Sequence, residues 1–190
     1  MRAAAIVAVL FAAFTSPPEP KADPGWFVTF TNSNLDQCFI DANTTGPVTV
    51  YVVSRLGVGL SGARFRLVPD PSLNLQYLGE YVPDFGMWVG QVTGNANDGV
   101  LLEGAWSQGP VVLLVVQYFA AVAAGPCARL RIGPYPGSAA MTAEVRTPDD
   151  QWTVPTYVYD IAANPCAGLW CELATPVESS TWGAIKALYR

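Results

Sequence analysis

The chain has 190 residues, among them ten basic residues, fifteen acidic residues and no histidine. Its basic residues are scattered, which argues against nucleic-acid binding, because that binding depends on clustered Lys and Arg that neutralise phosphates. The absence of histidine excludes Ser-His-Asp and Cys-His nucleophile systems and HExxH metal sites.

The N-terminus has the pattern of a signal peptide. The positive dipeptide Met1-Arg2 precedes an uncharged apolar run, AAAIVAVLFAAF, over residues 3–14. This run is shorter than the about 20 apolar residues that span a bilayer, and a buried helix would need an amphipathic face and a cap, which are missing. We therefore predict a signal peptide over residues 1–22, cleaved between Ala13 and Ala22. The mature protein is expected to be secreted or at the cell surface, without a stable membrane span.

The remaining chain is long enough for one domain with a full hydrophobic core. Short segments rich in Val, Tyr, Phe and Leu alternate with clusters of Gly, Pro, Asn and Asp, a spacing typical of a β-sandwich. We predict an all-β fold over residues 23–165, an antiparallel, jelly-roll-like sandwich of about nine strands. The candidate strands are 26–31, 48–54, 63–68, 75–79, 87–93, 100–103, 111–119, 128–132, 143–146 and 153–159.

Two of these strands have distinctive patterns. In Ala63–Leu67 apolar and charged residues alternate, which predicts that Phe65 and Leu67 point into the core. The run VVLLVV at Val111–Val116 is apolar on both faces, and this favours a central strand that is covered on both sides.

Carboxylate pairs offer the only evident route to catalysis. The nearest pairs in sequence are Asp149 with Asp150, Asp98 with Glu103, and Glu80 with Asp84. Paired carboxylates catalyse glycoside hydrolysis, but each of these lies in or beside a predicted loop and is explained more simply as a solvated turn residue. We predict no catalytic residue and no enzymatic activity.

The loop GNANDG, with Asn95, Asn97 and Asp98, offers oxygen ligands at alternate positions, as a calcium loop does. The acidic ligand that an EF-hand needs twelve residues along is replaced by Trp106. A turn is the simpler interpretation, and we predict neither a metal nor another cofactor.

Six tryptophans are many for this length, and exposed aromatic rings are used by sugar-binding modules to stack on sugar rings. Trp88, Trp106 and Trp152 are the candidate ligand-binding residues. The alternative is that they are core residues, as most tryptophans are.

The four cysteines, Cys38, Cys127, Cys166 and Cys171, are expected to form disulfides, because an even count in an exported chain is typical of them. Zinc would need C-x-x-C spacing or histidines. Three pairings are possible. The local bond between Cys166 and Cys171, which leaves Cys38 with Cys127, is the preferred one.

The C-terminal residues 166–190 are predicted to form a disulfide loop and a tail. In VESSTWGAIKALYR, over Val177–Arg190, Ser179 or Ser180 is a possible helix cap, and the apolar spacing is helical. The tail resembles the WGxIKxLYR endings of other secreted bacterial proteins, which implies a sorting or attachment tag. A short helix docked on the sandwich is the other interpretation. The tail residues concerned are Trp182, Ile185, Lys186, Leu188 and Tyr189.

Four segments resemble cohesin domains: GPVTVYVV, LSGARFRLVPDPSLNLQYLG, DGVLLEGAW and VVLLVVQYFA. The resemblance covers about residues 26 to 133, and Gly62, Phe65, Asp70, Pro71 and Ser72 are its most specific positions. It implies a nine-strand jelly-roll sandwich and, in true cohesins, binding of a dockerin or a related extracellular partner. The chain departs from the pattern in its four cysteines and in the segment after Ile132.

Together these features predict a secreted, non-catalytic binding or adhesion module that recognises an extracellular protein or a cell-surface component. One alternative is a carbohydrate-binding module that holds a polysaccharide on exposed Trp and Tyr. Another is a small glycosidase that uses a carboxylate pair.

Overall fold

The computed structural model describes residues 25–35, 37–41, 43, 45–56, 59–83, 89–106 and 109–163. The predicted signal peptide, Trp88, Cys166, Cys171 and the predicted C-terminal helix lie outside these residues. The described part of the chain contains thirteen β-strands and one turn of 3-10 helix.

Eight strands have five or more residues. They are β1 (Trp26–Phe30), β3 (Gly46–Leu56), β4 (Leu60–Pro69), β5 (Leu75–Tyr81), β6 (Val89–Asn95), β7 (Gly99–Trp106), β8 (Gly109–Ala120) and β9 (Arg129–Gly133). Five strands have two or three residues: β2 (Phe39–Ile40), β10 (Glu144–Arg146), β11 (Trp152–Thr153), β12 (Tyr157–Tyr159) and β13 (Ile161–Ala163).

The strands form two sheets, so the predicted all-β fold is confirmed. One sheet has five strands in the order β12-β1-β3-β8-β5. The other has eight, with the path β11-β10-β4-β9-β13-β2 and the hairpin β6-β7 paired to β4. Most pairs are antiparallel, but β1 pairs in parallel with β12 and β13 in parallel with β2.

The core lies between the sheets and is made of alternate residues from each strand. Phe65 and Leu67 are fully buried, as the alternation in β4 predicts. Phe65 meets Phe27 of the opposite sheet edge to face, with ring centroids 5.0 Å apart. Strand β8 lies between β3 and β5, which confirms the prediction of an interior strand at Val111–Val116.

The structure differs from the predicted strands near the end of the sandwich. The single strand predicted at 153–159 is two strands, β11 and β12, with Pro155 between them. Proline has no N–H to donate to a neighbouring strand, so it interrupts pairing. Strands β2 and β13 were not predicted, because two or three residues are too few to show an alternating pattern.

The most specific positions of the cohesin resemblance have structural roles. At Gly62 a Cβ atom would lie 3.0 Å from the Leu102 carbonyl oxygen, so only glycine fits without displacement. Asp70 precedes the 3-10 turn Pro71–Leu73, and its carboxylate accepts a hydrogen bond from the Arg129 N–H at 2.9 Å. The turn therefore ties the end of β4 to the start of β9.

Candidate functional site

The outer faces of the two sheets differ in charge. The described strands of the eight-stranded sheet carry seven charged residues, whereas those of the five-stranded sheet carry two, Arg55 and Glu80. A sheet face exposed to water is normally polar, and a large exposed apolar patch marks an interaction site. The outer face of the five-stranded sheet is therefore the candidate site.

One part of this face is open to solvent. Leu78 and Tyr81 of β5 and Phe119 of β8 are 56%, 52% and 41% exposed. Together with Gln76 and Gln117 they form what we call the β5–β8 face. It presents three partly exposed apolar side chains and two side-chain amides, and none of these five residues is charged.

Strand register brings these side chains together. Gln76 lies opposite Phe119, and Tyr81 lies opposite Val115, so their side chains share one face of the sheet. A bulge between Tyr77 and Gly79 shifts the register and leaves Leu78 exposed. Tyr77 points the other way and meets the buried Tyr118 edge to face, with centroids 6.0 Å apart.

Beneath the β5–β8 face, polar contacts fix β5 and β8 to the β6–β7 turn of the opposite sheet. The Glu80 carboxylate accepts a hydrogen bond from the Ala96 N–H at 2.7 Å, and the Tyr118 hydroxyl donates one to Asn97 Oδ1 at 2.8 Å. Burial raises the pKa of Glu80 above its usual range, although the hydrogen bonds from Ala96 and Tyr77 oppose this. Burial and then the Glu80 charge raise the pKa of Tyr77 to about 12. The raised pKa keeps the Tyr77 hydroxyl protonated, and the hydrogen bonds of Glu80 and Tyr118 join β5 and β8 to the β6–β7 turn.

The part of the same face that β1 and β3 form is covered, whereas Tyr157 at the β12 edge is 49% exposed. Trp26, Val28 and Phe30 of β1 and Val53 of β3 share the outer side by register, yet each is at most 8% exposed. They form a hydrophobic cluster with Cys38, against which Leu35, Tyr51, Val112 and Tyr159 pack. We call it the β1 cluster. It is already packed, so the group of exposed apolar side chains Leu78, Tyr81 and Phe119 lies at the β5–β8 end.

The outer face of the eight-stranded sheet satisfies its own charges. Arg64 holds Glu144 with two hydrogen bonds, 2.7 Å and 2.9 Å long. Arg146 pairs with Glu103 at 3.0 Å and with Asp150 at 3.2 Å. These charges are paired with one another, so they offer few unpaired groups to a partner.

The structure separates the tryptophans considered as ligand-binding residues. Trp106 is buried in the core, so it has no ring face for a sugar. Trp152 is half-buried, and the guanidinium groups of Arg64 and Arg146 lie 4.3 Å and 5.4 Å from its ring centre. Trp88 lies outside the described residues. Trp106 and Trp152 thus belong to different environments, and the structure does not bring them together as a platform.

The described carboxylates have structural partners. Besides the pairs with Arg146, Asp98 accepts a hydrogen bond from Asn95 within the β6–β7 turn at 2.8 Å, and Asp149 accepts one from Thr147. The Asn95 side chain accepts the N–H groups of Asn97 and Asp98, which is the geometry of an Asx turn. The predicted turn at 95–99 is therefore present.

Within the described ranges no group of three or more Cys, Asp or Glu side chains is placed to hold a metal ion. A shallow pocket of about 140 Å³ is lined by Arg129, Val158, Tyr159, Asp160 and Ala162, well below the size of ordinary small-molecule sites. No helix in the described part of the chain is long and apolar enough to cross a membrane.

Sequence reasoning did not find Leu78, Tyr81 or Phe119. Isolated apolar residues in a strand resemble core residues, and only the register shows that these three face away from the core. The sequence does contain one signal for this face: β1, β3, β5, β8 and β12 carry almost no charged residues. A sheet face that is fully exposed to water normally carries polar and charged side chains.

The sandwich is similar to solved cohesin domains. A type II cohesin from the cellulosome of Acetivibrio cellulolyticus matches with a TM-score of 0.49 and 12% identity, over 78% of this chain and 98% of that one. The sixth cohesin of scaffoldin B from the same organism, solved with a dockerin, has a TM-score of 0.48 and 14% identity, over 74% and 96%. A non-cellulosomal cohesin from the archaeon Archaeoglobus fulgidus has a TM-score of 0.48 and 10% identity, over 72% and 88%.

The chain is similar to these cohesins in its fold. At such identities and TM-scores the similarity establishes neither a family nor a function. No family model matches the sequence, and no curated protein matches it.

Proposed function

We propose that this protein is an exported, non-catalytic binding module that recognises an extracellular protein through the β5–β8 face. The observation that carries the proposal is the contrast between the two outer faces. One is charged and internally paired, and the other exposes Leu78, Tyr81 and Phe119 without a charge among them.

The composition of the face indicates the chemistry of the partner. Aromatic residues are enriched and charged residues are depleted at the centres of protein interfaces, and a few buried aromatic anchors usually dominate the binding energy. Phe119 and Tyr81 are suited to this role, and Gln76 and Gln117 supply donors and acceptors beside them. The face therefore fits a folded protein with an apolar patch and few charges.

The hydrogen bonds beneath the face support the same function. Glu80 and Tyr118 are hydrogen-bonded to the opposite sheet at 2.7 Å and 2.8 Å, so the strands that carry the face are held from below. A surface that is already ordered loses little conformational freedom when it binds. This favours a preformed binding face over one that folds with its partner.

Export is part of the proposal. It is supported by the positive start, the apolar run of residues 3–14 and the proline-rich segment after that run. We expect the secreted protein to begin between residues 14 and 23, and the intact mass of the secreted form gives its first residue. A secreted form that still starts at Met1 would contradict the signal peptide.

The test of the binding face uses the purified mature protein, immobilised and exposed to the secreted fraction of the producing organism. Phe119→Asp places a charge in the centre of the face, and we expect it to weaken binding of the captured protein at least tenfold, which corresponds to about 1.4 kcal/mol. Because Phe119 is 41% exposed, the variant should still fold with an unchanged circular dichroism spectrum.

Arg66→Ala is the matched control, since Arg66 is exposed on the outer face of the other sheet. It should bind the same protein as strongly as the wild type does. Loss of binding in the Arg66 variant, with none in the Phe119 variant, would move the site to the charged face and overturn the proposal. Capture of a polysaccharide that Phe119→Asp abolishes would instead assign the face to a carbohydrate.

A further inference from the structure

We propose that the protein forms a symmetric dimer in which β6 pairs with β6 of a second copy, antiparallel and centred on Val92. The interface lies at an edge of the eight-stranded sheet and is separate from the β5–β8 face. Two observations carry this dimer: β6 lacks the features that protect the other sheet edges, and its sequence matches itself when it is reversed.

Strand β6 forms one edge of the eight-stranded sheet. It pairs with β7 on one side, and within the described ranges no strand pairs with its other side. Its residues Gln91–Asn95 pair with residues 103–99 of β7 without interruption. An edge strand presents N–H and C=O groups that can pair with the strand of another chain, and β6 presents them over a continuous segment.

The other edge strands in the described part of the chain have features that discourage such pairing. Strands β2, β11 and β12 have only two or three residues, and very short edge strands are one protection that natural proteins use. Strand β5 has a bulge between Tyr77 and Gly79, and Glu80 turns inward to the Ala96 N–H. Bulges and inward-pointing charges serve the same purpose. By contrast, the segment Gln91–Asn95 contains no charged residue and no proline.

Val92 lies on the core side of the sheet but is not covered. It is opposite Leu102 of β7, which is fully buried, and residues opposite each other share one face of a sheet. Nevertheless Val92 is 44% exposed, and Gln91 and Thr93 on the other face are exposed as well. A further strand beside β6 would cover Val92 from the open side if it placed an apolar residue opposite it.

A second copy of β6 meets this requirement. In an antiparallel pair centred on Val92, the two copies of Val92 lie opposite each other, and Gln91 of each copy lies opposite Thr93 of the other. Gly90 and Gly94, which flank these three residues, have no side chain that could clash. Apolar side chains therefore meet on the core side and uncharged polar side chains on the outer side. Both copies use the same surface, as two-fold symmetry requires.

The charges nearest this edge do not oppose the pairing. Glu103 of β7 is paired with Arg146 at 3.0 Å. In the dimer the two copies of Glu103 are separated by at least three strand spacings, roughly 14 Å. This exceeds the screening length of about 8 Å at physiological ionic strength. The paired edge is short and buries less surface than a permanent interface does, so we expect a weak dimer in equilibrium with the monomer.

The test is analytical ultracentrifugation of the purified secreted protein over concentrations up to about 1 mM. We expect the mean mass to rise from that of the monomer toward twice that mass. Val92→Lys should weaken dimerisation at least about tenfold, because like charges directly opposite each other are destabilising and lysine on an edge strand discourages pairing. Since Val92 is 44% exposed, the variant should keep the circular dichroism spectrum of the wild type.

Val154→Lys is the matched control. It makes the same change at a residue that is 47% exposed and follows β11, which is the strand at the other end of the order β11-β10-β4-β7-β6. It should dimerise as the wild type does. Hydrogen exchange gives an independent measurement: the backbone amides of Gln91–Asn95 should exchange more slowly at high than at low protein concentration, and Val92→Lys should remove this difference.

A protein that stays monomeric throughout the concentration series would overturn the proposal. A dimer that Val92→Lys leaves intact and Phe119→Asp disrupts would also overturn it, since that dimer would use the β5–β8 face. If the wild type is monomeric and Val92→Lys loses the captured extracellular protein, the edge binds a strand of that protein and not a second copy. Phe119→Asp is expected to leave the dimer unchanged, so the dimer and the proposed binding face are tested separately.

Discussion

Phe65→Ala should lower the free energy of unfolding by about 3 to 5 kcal/mol, the usual cost of removing a fully buried phenylalanine ring. Phe65 has no exposed surface and lies on β4 of the eight-stranded sheet. Its ring meets Phe27 of the five-stranded sheet edge to face, 5.0 Å away. The substitution therefore opens a cavity where the two sheets meet, and neither sheet can close it without moving as a whole. Urea denaturation followed by fluorescence measures the loss.

Phe119→Ala is the control for this cavity, because it makes the same chemical change at a residue that is 41% exposed. Its cost should be about 1 kcal/mol or less. Equal losses in the two variants would show that Phe65 does not link the sheets.

Arg64→Met should lower the free energy of unfolding by about 2 to 3 kcal/mol at neutral pH. It removes both hydrogen bonds that Arg64 donates to Glu144 and leaves a carboxylate, whose side chain is only 11% exposed, without its cation. Loss of one partner from a buried pair costs up to about 5 kcal/mol, and the 27% exposure of the Arg64 side chain reduces that figure. Thermal or urea unfolding of the two proteins gives the difference.

The same pair should make stability depend on pH in the acid range. The hydrogen bonds from Arg64, and to a smaller extent from Ser138, lower the pKa of Glu144 below its usual value although burial opposes them. A lowered folded-state pKa contributes stability that is complete above the unfolded-state value and is lost as the pH falls through the folded-state value. The wild type should therefore lose more stability than Arg64→Met as the pH falls below about 4.5, the ordinary pKa of a glutamate.

Arg66→Met is the matched control on the same strand and the same face, since Arg66 is exposed. It should change the free energy of unfolding by about 0.5 kcal/mol or less and leave the acid dependence unaltered. A difference between wild type and Arg64→Met that did not narrow on acidification below the ordinary pKa of glutamate would contradict the role of Glu144.

The sandwich could be predicted because its signals are local. Alternation around Phe65 and the apolar run at 111–116 give the strands of the core, and turn residues separate them. Strands β2 and β13 have no such signal, since pairing with distant partners alone makes Phe39–Ile40 and Ile161–Ala163 extended. The break between β11 and β12 arises because Pro155 has no backbone N–H. The position of this proline in the sequence was sufficient to predict the break.

The candidate site could not be predicted in the same way. The sequence favours tryptophans as residues that stack on a sugar ring. In the structure Trp106 is buried in the core, and two guanidinium groups lie over the ring of Trp152. The exposed face depends on which side of β5 and β8 each residue takes, and a bulge between Tyr77 and Gly79 sets that side for the residues of β5 that follow it. A bulge shifts the register by one residue and so reverses the face taken by the later residues of its strand. Short-range patterns therefore do not locate Tyr81, which follows the bulge.

The last strands join the two sheets, and this has a consequence for the order of folding. Strand β12 pairs with β1 in the five-stranded sheet, and β13, after the single residue Asp160, pairs with β9 and β2 in the eight-stranded sheet. Thr29 donates a hydrogen bond to the Tyr159 carbonyl oxygen across 130 residues of chain. Contacts of such long sequence separation form late. Strand β1 thus pairs with β3 alone until residues 157–159 are available, so the edge of the five-stranded sheet is completed only when β12 joins it.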